Sequence, residues 1–97
     1  MESNNFVFCI EKIFSEADEV VVAGRIRMGE VKKGEEVHLV NRAREFKNVT
    51  CERLEKNYHE IVRARAGQSI AIVLSGVGKQ DVEIGMCLAT PGYMVRF

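Results

Sequence analysis

Apolar and polar residues alternate with a period of two along most of this 97-residue chain, the spacing that turns one face of a strand to a core and the other to solvent. In a first strand over 6–14, Phe6, Phe8 and Ile10 share one face and Val7 and Cys9 the other, so both faces are apolar. Over 19–28, Val20, Val22, Gly24, Ile26 and Met28 fall on one side, and Val21, Ala23, Arg25 and Arg27 on the other. Residues 29–34 read as a hairpin-like return with a glycine at each end, the residue that takes positive φ without a steric penalty. Alternation resumes over 36–40, a polar, basic loop is expected over 41–48, and another strand over 49–54. Residues 53–65 carry Leu54, Tyr58, Ile61 and Val62 at helical spacing but are charged on most sides. A helix and a strand, turn and strand both fit there. Residues 69–74 are apolar on both faces, as a central strand would be, 76–81 read as a loop or one helical turn, and 84–89 as a last strand. The expected architecture is all-β, with about seven strands in a small barrel or sandwich.

Composition narrows the class. With 46% hydrophobic and 29% charged residues the chain can bury one compact core. Its longest aliphatic run, 70–74, is far short of the roughly 20 residues a spanning helix needs, and no membrane role is expected. Residues 1–5 are polar without the basic and apolar stretches of a secretory signal, so the expected location is the cytoplasm. Cys9, Cys51 and Cys87 are odd in number and widely spaced, which suits reduced core thiols better than a disulfide framework. Fourteen Lys and Arg balance fourteen Asp and Glu, yet residues 25–65 hold eleven of the cations and seven of the acids. That local excess makes a weak basic stripe of Arg25, Arg27, Lys32, Lys33, Arg42, Arg44 and Lys47.

Catalytic patterns are missing. Gly78-Lys79-Gln80 lacks the upstream glycine and the hydroxyl residue of a phosphate-cradling loop. His38, His59 and the cysteines show no metal-ligand spacing, and no nucleophile motif surrounds either histidine. The reading is a protein without catalytic residues, metal or cofactor.

The segments Val22-Ala23-Gly24-Arg25-Ile26, Val31-Lys32-Lys33-Gly34-Glu35-Glu36-Val37, Ala64-Arg65-Ala66-Gly67-Gln68-Ser69-Ile70-Ala71 and Asp81-Val82-Glu83-Ile84-Gly85-Met86-Cys87-Leu88-Ala89-Thr90-Pro91-Gly92 come in this order. Together they resemble the second domain of translation factor GTPases, above all elongation factor Tu. The resemblance implies a small closed antiparallel β-barrel over 6–92, with 1–5 a polar tail and 93–97 a C-terminal extension. In the family this domain sits beside a GTP-binding domain, contacts the small ribosomal subunit and, in elongation factor Tu, helps hold the aminoacylated end of tRNA. The resemblance here does not extend to a GTPase domain, so only the barrel's binding role would carry over. The natural-looking Met1 start and the extension past Gly92 favour a self-standing chain over an excised domain.

The family's tRNA-end pocket uses a Glu-Asp-x-Phe run, which this chain meets with Glu11-Lys12-Ile13-Phe14, keeping Glu11 and Phe14. Glu52 matches the family glutamate that meets the terminal adenosine. Ala23 replaces a threonine, Ser69 an asparagine, and a shorter Ala17-Asp18-Glu19 the Gly-Arg-Gly turn. In the plainer reading Phe14 packs inside the barrel and Glu11 is a solvated strand residue. The functional expectation is a non-catalytic module that binds RNA or the ribosome through the basic stripe; DNA is not expected. The alternative is a protein-interaction or self-associating scaffold, using the apolar outer faces of 6–10 and 93–97, or docking onto a separate GTPase domain.

Overall fold

The computed structural model describes residues 5–97; most of the expected tail over 1–5 therefore lies outside the described residues. Nine strands run in chain order: β1 (Val7–Glu16), β2 (Glu19–Met28), β3 (Glu30–Lys32), β4 (Glu36–Val40), β5 (Phe46–Lys56), β6 (His59–Ile61), β7 (Arg63–Arg65), β8 (Ser69–Ser75) and β9 (Cys87–Ala89). A 3-10 turn, Lys79–Asp81, lies between β8 and β9. Six strands close into an antiparallel ring, β4-β9-β1-β2-β8-β5 and back to β4, so the sheet is barrel-like as expected. Closure pairs the strand edges that would otherwise recruit other chains. β6 folds back on β5 as a hairpin, and β3 pairs with β7 in a separate two-stranded ribbon.

The ring encloses Phe6, Phe8, Ile10, Val22, Ile26, Leu54, Ile72 and Leu88, all buried. β8 runs between β2 and β5 with Ile70, Ile72, Val73 and Leu74 buried, the central strand that its apolar run predicts. Gly24 is fixed by sterics, since a Cβ there would stand 1.8 Å from the Cys9 carbonyl oxygen on β1.

Several local expectations change. Residues 29–34 are not a hairpin return: β2 pairs with β1 and β8, β4 pairs with β5 and β9, and β3 occupies the connection. The glycines Gly29 and Gly34 do take positive φ, at 78° and 85°. Met28 leaves the inward row of β2 and is exposed. The loop after β4 shortens to 41–45 because β5 already starts at Phe46, and β9 covers only the second half of 84–89. Between 53 and 65 the chain is strand, turn and strand.

The C-terminal residues fold back on the outside of the ring. Val95 is buried against a second cluster formed by Val7, Val40, Cys87 and Ala89, with Cys9 and Tyr93 at its edge. Three cations fasten this segment: Arg27 donates to the Arg96 carbonyl at 3.3 Å, Arg44 to the Val95 carbonyl, and Arg42 lies 5.7 Å over the Phe97 ring. Part of the two apolar outer faces expected to be open for self-association is thereby covered, Val95 lying with Val7 and Cys9, while Met94 and Phe97 stay exposed.

Candidate functional site

Three register shifts interrupt the ring, one leaving Arg27 of β2 unpaired, and the other two are β-bulges that shape the outer surface around β1 and β5. On β1, Ile10 pairs with Gly24 and Lys12 with Ala23, leaving Glu11 unpaired between them. On β5, Cys51 pairs with Leu74 and Arg53 with Val73, leaving Glu52 unpaired. An extra residue reverses the in-out phase of everything after it. Phe14, which would follow Phe6, Phe8 and Ile10 into the core at a strict period of two, instead points outward and is 45% exposed. Ile13 takes its place against the core.

The re-aimed side chains meet along two rows that cross four strands. One row runs Lys12, Ala23, Ala71, Glu55, and the next Phe14, Val21, Val73, Arg53. Small residues in mid-row leave a groove of about 580 Å³, walled by Glu11, Lys12 and Phe14 on β1 and by Glu55, Asn57 and Tyr58 at the far side. Ser69 closes one end. Glu11 and Phe14, the positions the resemblance implies for a pocket, thus come together with Ala23 and Ser69. Glu52 does not join them: its bulge turns it to Ser75, whose Oγ donates to Glu52 Oε2 at 2.8 Å.

Tyr58 stands fully exposed at the tip of the β5–β6 hairpin. Asn57 and Tyr58 both take positive φ, at 53° and 67°, and Lys56 pairs with His59 across them, the arrangement of a type I′ turn. Glycine is the favoured second residue of that turn, and a bulky one is strained there. The sequence reading missed Tyr58, Asn57 and Glu55. Asn57 between two alternating runs is a hairpin signal, masked by tyrosine where glycine is usual.

Charge in the groove is mostly negative, with Glu11, Glu16 and Glu55 against Lys12. Arg53 neutralises one wall: its Nη1 and Nη2 donate to Glu19 at 3.3 and 3.2 Å and its Nε to Glu55 at 3.0 Å. The hydrogen bonds that its guanidinium donates, to Glu19 first and to Glu55 next, raise the Arg53 pKa above its ordinary value.

The seven cations of the expected stripe do not share one face. Arg27, Arg42 and Arg44 hold the C-terminal segment, Lys47 pairs with Asp81 at 2.9 Å, and Lys33 with Glu60 at 2.7 Å. Arg25 and Lys32 have no side-chain partner among the described residues. Arg25 lies opposite Ser69 at the end of the groove, and Lys32 lies with Lys33 and Arg65 around an open depression of about 700 Å³ beside the β3–β7 ribbon. Among the described residues no three of His, Cys, Asp and Glu gather in a metal-holding group, and no helix is long and apolar enough to cross a membrane.

A six-stranded antiparallel ring with a separate two-stranded ribbon is consistent with a translation-factor-like β-domain. The family model for Elongation factor Tu domain 2 matches residues 19–89, and the chain belongs to that family. The match begins at the start of β2, so Glu11 and Phe14 on β1 lie outside it.

Proposed function

We propose that this chain is a non-catalytic, cytoplasmic binding module that engages RNA or a ribonucleoprotein such as the ribosome. The observation that carries this reading is membership of the elongation factor Tu domain 2 family, whose members work in translation. The groove supports it chemically. Phe14 and Tyr58 offer aromatic faces on which an unstacked base can lie, and the carboxylates of Glu11, Glu16 and Glu55 can accept from ribose hydroxyls or base amino groups. Glu11 and Glu16, which no cation pairs among the described residues, repel phosphate, so a nucleotide would enter base-first with its backbone directed toward Arg25, Lys32 and Arg65. Of the seven residues of the basic stripe, Arg25 and Lys32 would face RNA, joined by Arg65 from outside the stripe, and the other five would stay with their partners in the fold.

The test is co-sedimentation with ribosomes and with bulk tRNA at low and moderate salt, using an unrelated neutral barrel as control. Saturable, salt-sensitive binding that falls at least several-fold in Lys32→Glu/Lys33→Glu and in Phe14→Ala/Tyr58→Ala is expected. Absence of binding to both at either salt overturns the reading. A protein partner, for which a separate GTPase domain is the natural candidate, is the second reading. It is favoured by exposed Phe46 and Met94 beside a small cleft of about 250 Å³ lined by His38, Val40 and Arg44.

A further inference from the structure

Cys9 and Cys87 are 78 residues apart in sequence and face each other on adjacent strands, with their Sγ atoms 3.9 Å apart. The β1–β9 ladder places Thr90 N donating to the Phe6 carbonyl and Ile10 N donating to the Met86 carbonyl, each at 3.0 Å. Hydrogen-bonded pairs alternate with non-bonded ones along an antiparallel ladder, so Cys9 and Cys87 form a non-hydrogen-bonded pair. Cα atoms in such pairs are about 4.5 Å apart, at the lower end of the range that a disulfide spans. Side-chain rotation alone can therefore bring the two sulfurs into bonding contact.

The two thiols differ in their surroundings. Cys87 is buried, and burial first, then the neighbouring Cys9, pushes its thiol up to about 12. Cys9 is half-exposed at the edge of the same cluster, and Arg27 Nη1 stands 3.5 Å from its sulfur. That contact raises the Arg27 pKa, the direction expected when a guanidinium donates to sulfur. A partly exposed sulfur beside a cationic donor is the setting in which cysteines react with oxidants. Cys51 lies inside the ring, in the other cluster, apart from the other two cysteines.

We propose that Cys9 and Cys87 form a redox site on the outer face of the barrel, at which a hydroperoxide oxidises Cys9 and Cys87 closes a cross-strand disulfide. In the first step the Cys9 sulfur attacks the terminal peroxide oxygen. The O–O bond breaks, the leaving oxygen departs as water or an alcohol, and Cys9 becomes a sulfenic acid. In the second step the Cys87 sulfur attacks the Cys9 sulfur. The S–O bond breaks, and hydroxide leaves as water with the Cys87 proton. The protein loses two electrons and two protons and the peroxide gains them. A small dithiol reverses the change by exchange at the half-exposed Cys9 sulfur and is itself oxidised to a disulfide.

The site is tied to the C-terminal segment. Arg27 Nη1 reaches both the Cys9 sulfur and the Arg96 carbonyl, and Val95 lies on Cys87 in one cluster. Rotation of Cys9 toward Cys87 withdraws one of the two acceptors that hold the Arg27 guanidinium against this segment.

The experiment treats the folded full-length chain with a small molar excess of hydrogen peroxide, quenches it, denatures it and alkylates the remaining thiols. Peptide mapping by mass spectrometry then reads the products. The expected result is a monomer that has lost two hydrogens, with a Cys9–Cys87 linkage, Cys51 alkylated, and full reversal by dithiothreitol. In Cys87→Ala the oxidation is expected to stop at a Cys9 sulfenic acid trapped by dimedone, with no intramolecular disulfide. Oxidation of Cys51 as fast as Cys9, or accumulation in the parent chain of Cys9 sulfinic acid without the linkage, overturns the proposal. These two outcomes are read on the unmutated protein and do not depend on the folding of any variant.

Discussion

At the residue scale, the interior of this small ring is intolerant of charge, and Cys51 makes this measurable. Its side chain is buried on the inward face of β5, and burial first, then the carboxylate of Glu35, pushes its thiol up to about 12 from an ordinary 9.0. The unfolded chain releases this proton near pH 9, and the folded chain holds it up to about pH 12. The neutral thiol thus contributes stability that is fully present below pH 9 and is lost as pH rises toward 12. Urea denaturation across pH 7 to 11 is expected to show a falling midpoint above about pH 9, and Cys51→Val to flatten that fall. An equally steep loss in the variant would assign the alkaline limb to other groups, foremost Cys87, whose thiol is also held near 12.

At the element scale, two features do most to turn a plain barrel into one with a site, and neither follows from alternation. A bulge consists of one unpaired residue, and nothing in Glu11 or Glu52 marks them as such: both are ordinary polar strand residues. Strict alternation therefore predicts Phe14 inside, and the family resemblance implies Glu52 in the pocket, whereas the bulges put Phe14 on the outer wall and Glu52 against Ser75. The ring itself was legible, because Val22, Ile26, Ile70, Ile72 and Leu88 keep their period and the separated family segments fix the order of the elements. What stayed hidden was long-range: which strands pair across 29–34, that Val95 packs on Val7, and that Cys9 and Cys87 meet. The β5–β6 hairpin shows the same conflict of local and global demands. A tyrosine in the left-handed region costs about 1 kcal/mol relative to glycine, and strain of this kind collects at binding sites. Tyr58→Gly is accordingly expected to raise stability in urea by about 0.5–1 kcal/mol, less than the strain because glycine also loosens the unfolded chain, while weakening RNA binding. A variant that loses stability would mean that Tyr58 supports the fold. The C-terminal segment works in the opposite sense. Deleting 93–97 removes Val95 from its pocket on Val7, Val40, Cys87 and Ala89, a burial worth about 2 kcal/mol by itself. The expected outcome is a lower urea midpoint together with increased light scattering, because the uncovered face is apolar. An unchanged midpoint would mean that the segment contributes nothing to the fold.

At the scale of the whole molecule, formal net charge is zero, so any attraction to RNA must come from local arrangement. Pairing decides how much of the basic stripe can act. Lys33 and Lys47 each face a carboxylate, and Arg27, Arg42 and Arg44 are spent on the C-terminal segment, where moving them would loosen the fold. Arg25 and Lys32 remain, and Arg65, which was not in the expected stripe, joins them where β2, the β3–β7 ribbon and the start of β8 converge. Three phosphates neutralised by three free cations give a log–log dependence of affinity on salt with a slope of about −2 for a single strand, at roughly 0.7 per phosphate. If all seven stripe residues met phosphates the slope would be about −5. A salt titration of the parent chain separates these cases, and Arg25→Gln, Lys32→Gln and Arg65→Gln are each expected to make the slope shallower by about 0.7. Arg42→Gln is expected to leave the slope unchanged while lowering the thermal midpoint, since its guanidinium serves Phe97. A parent slope near −5 would instead mean that RNA draws the fastening arginines away from the C-terminal segment, so that binding and release of 93–97 are one event. In that case deletion of 93–97 would tighten RNA binding, which the three-cation arrangement does not predict.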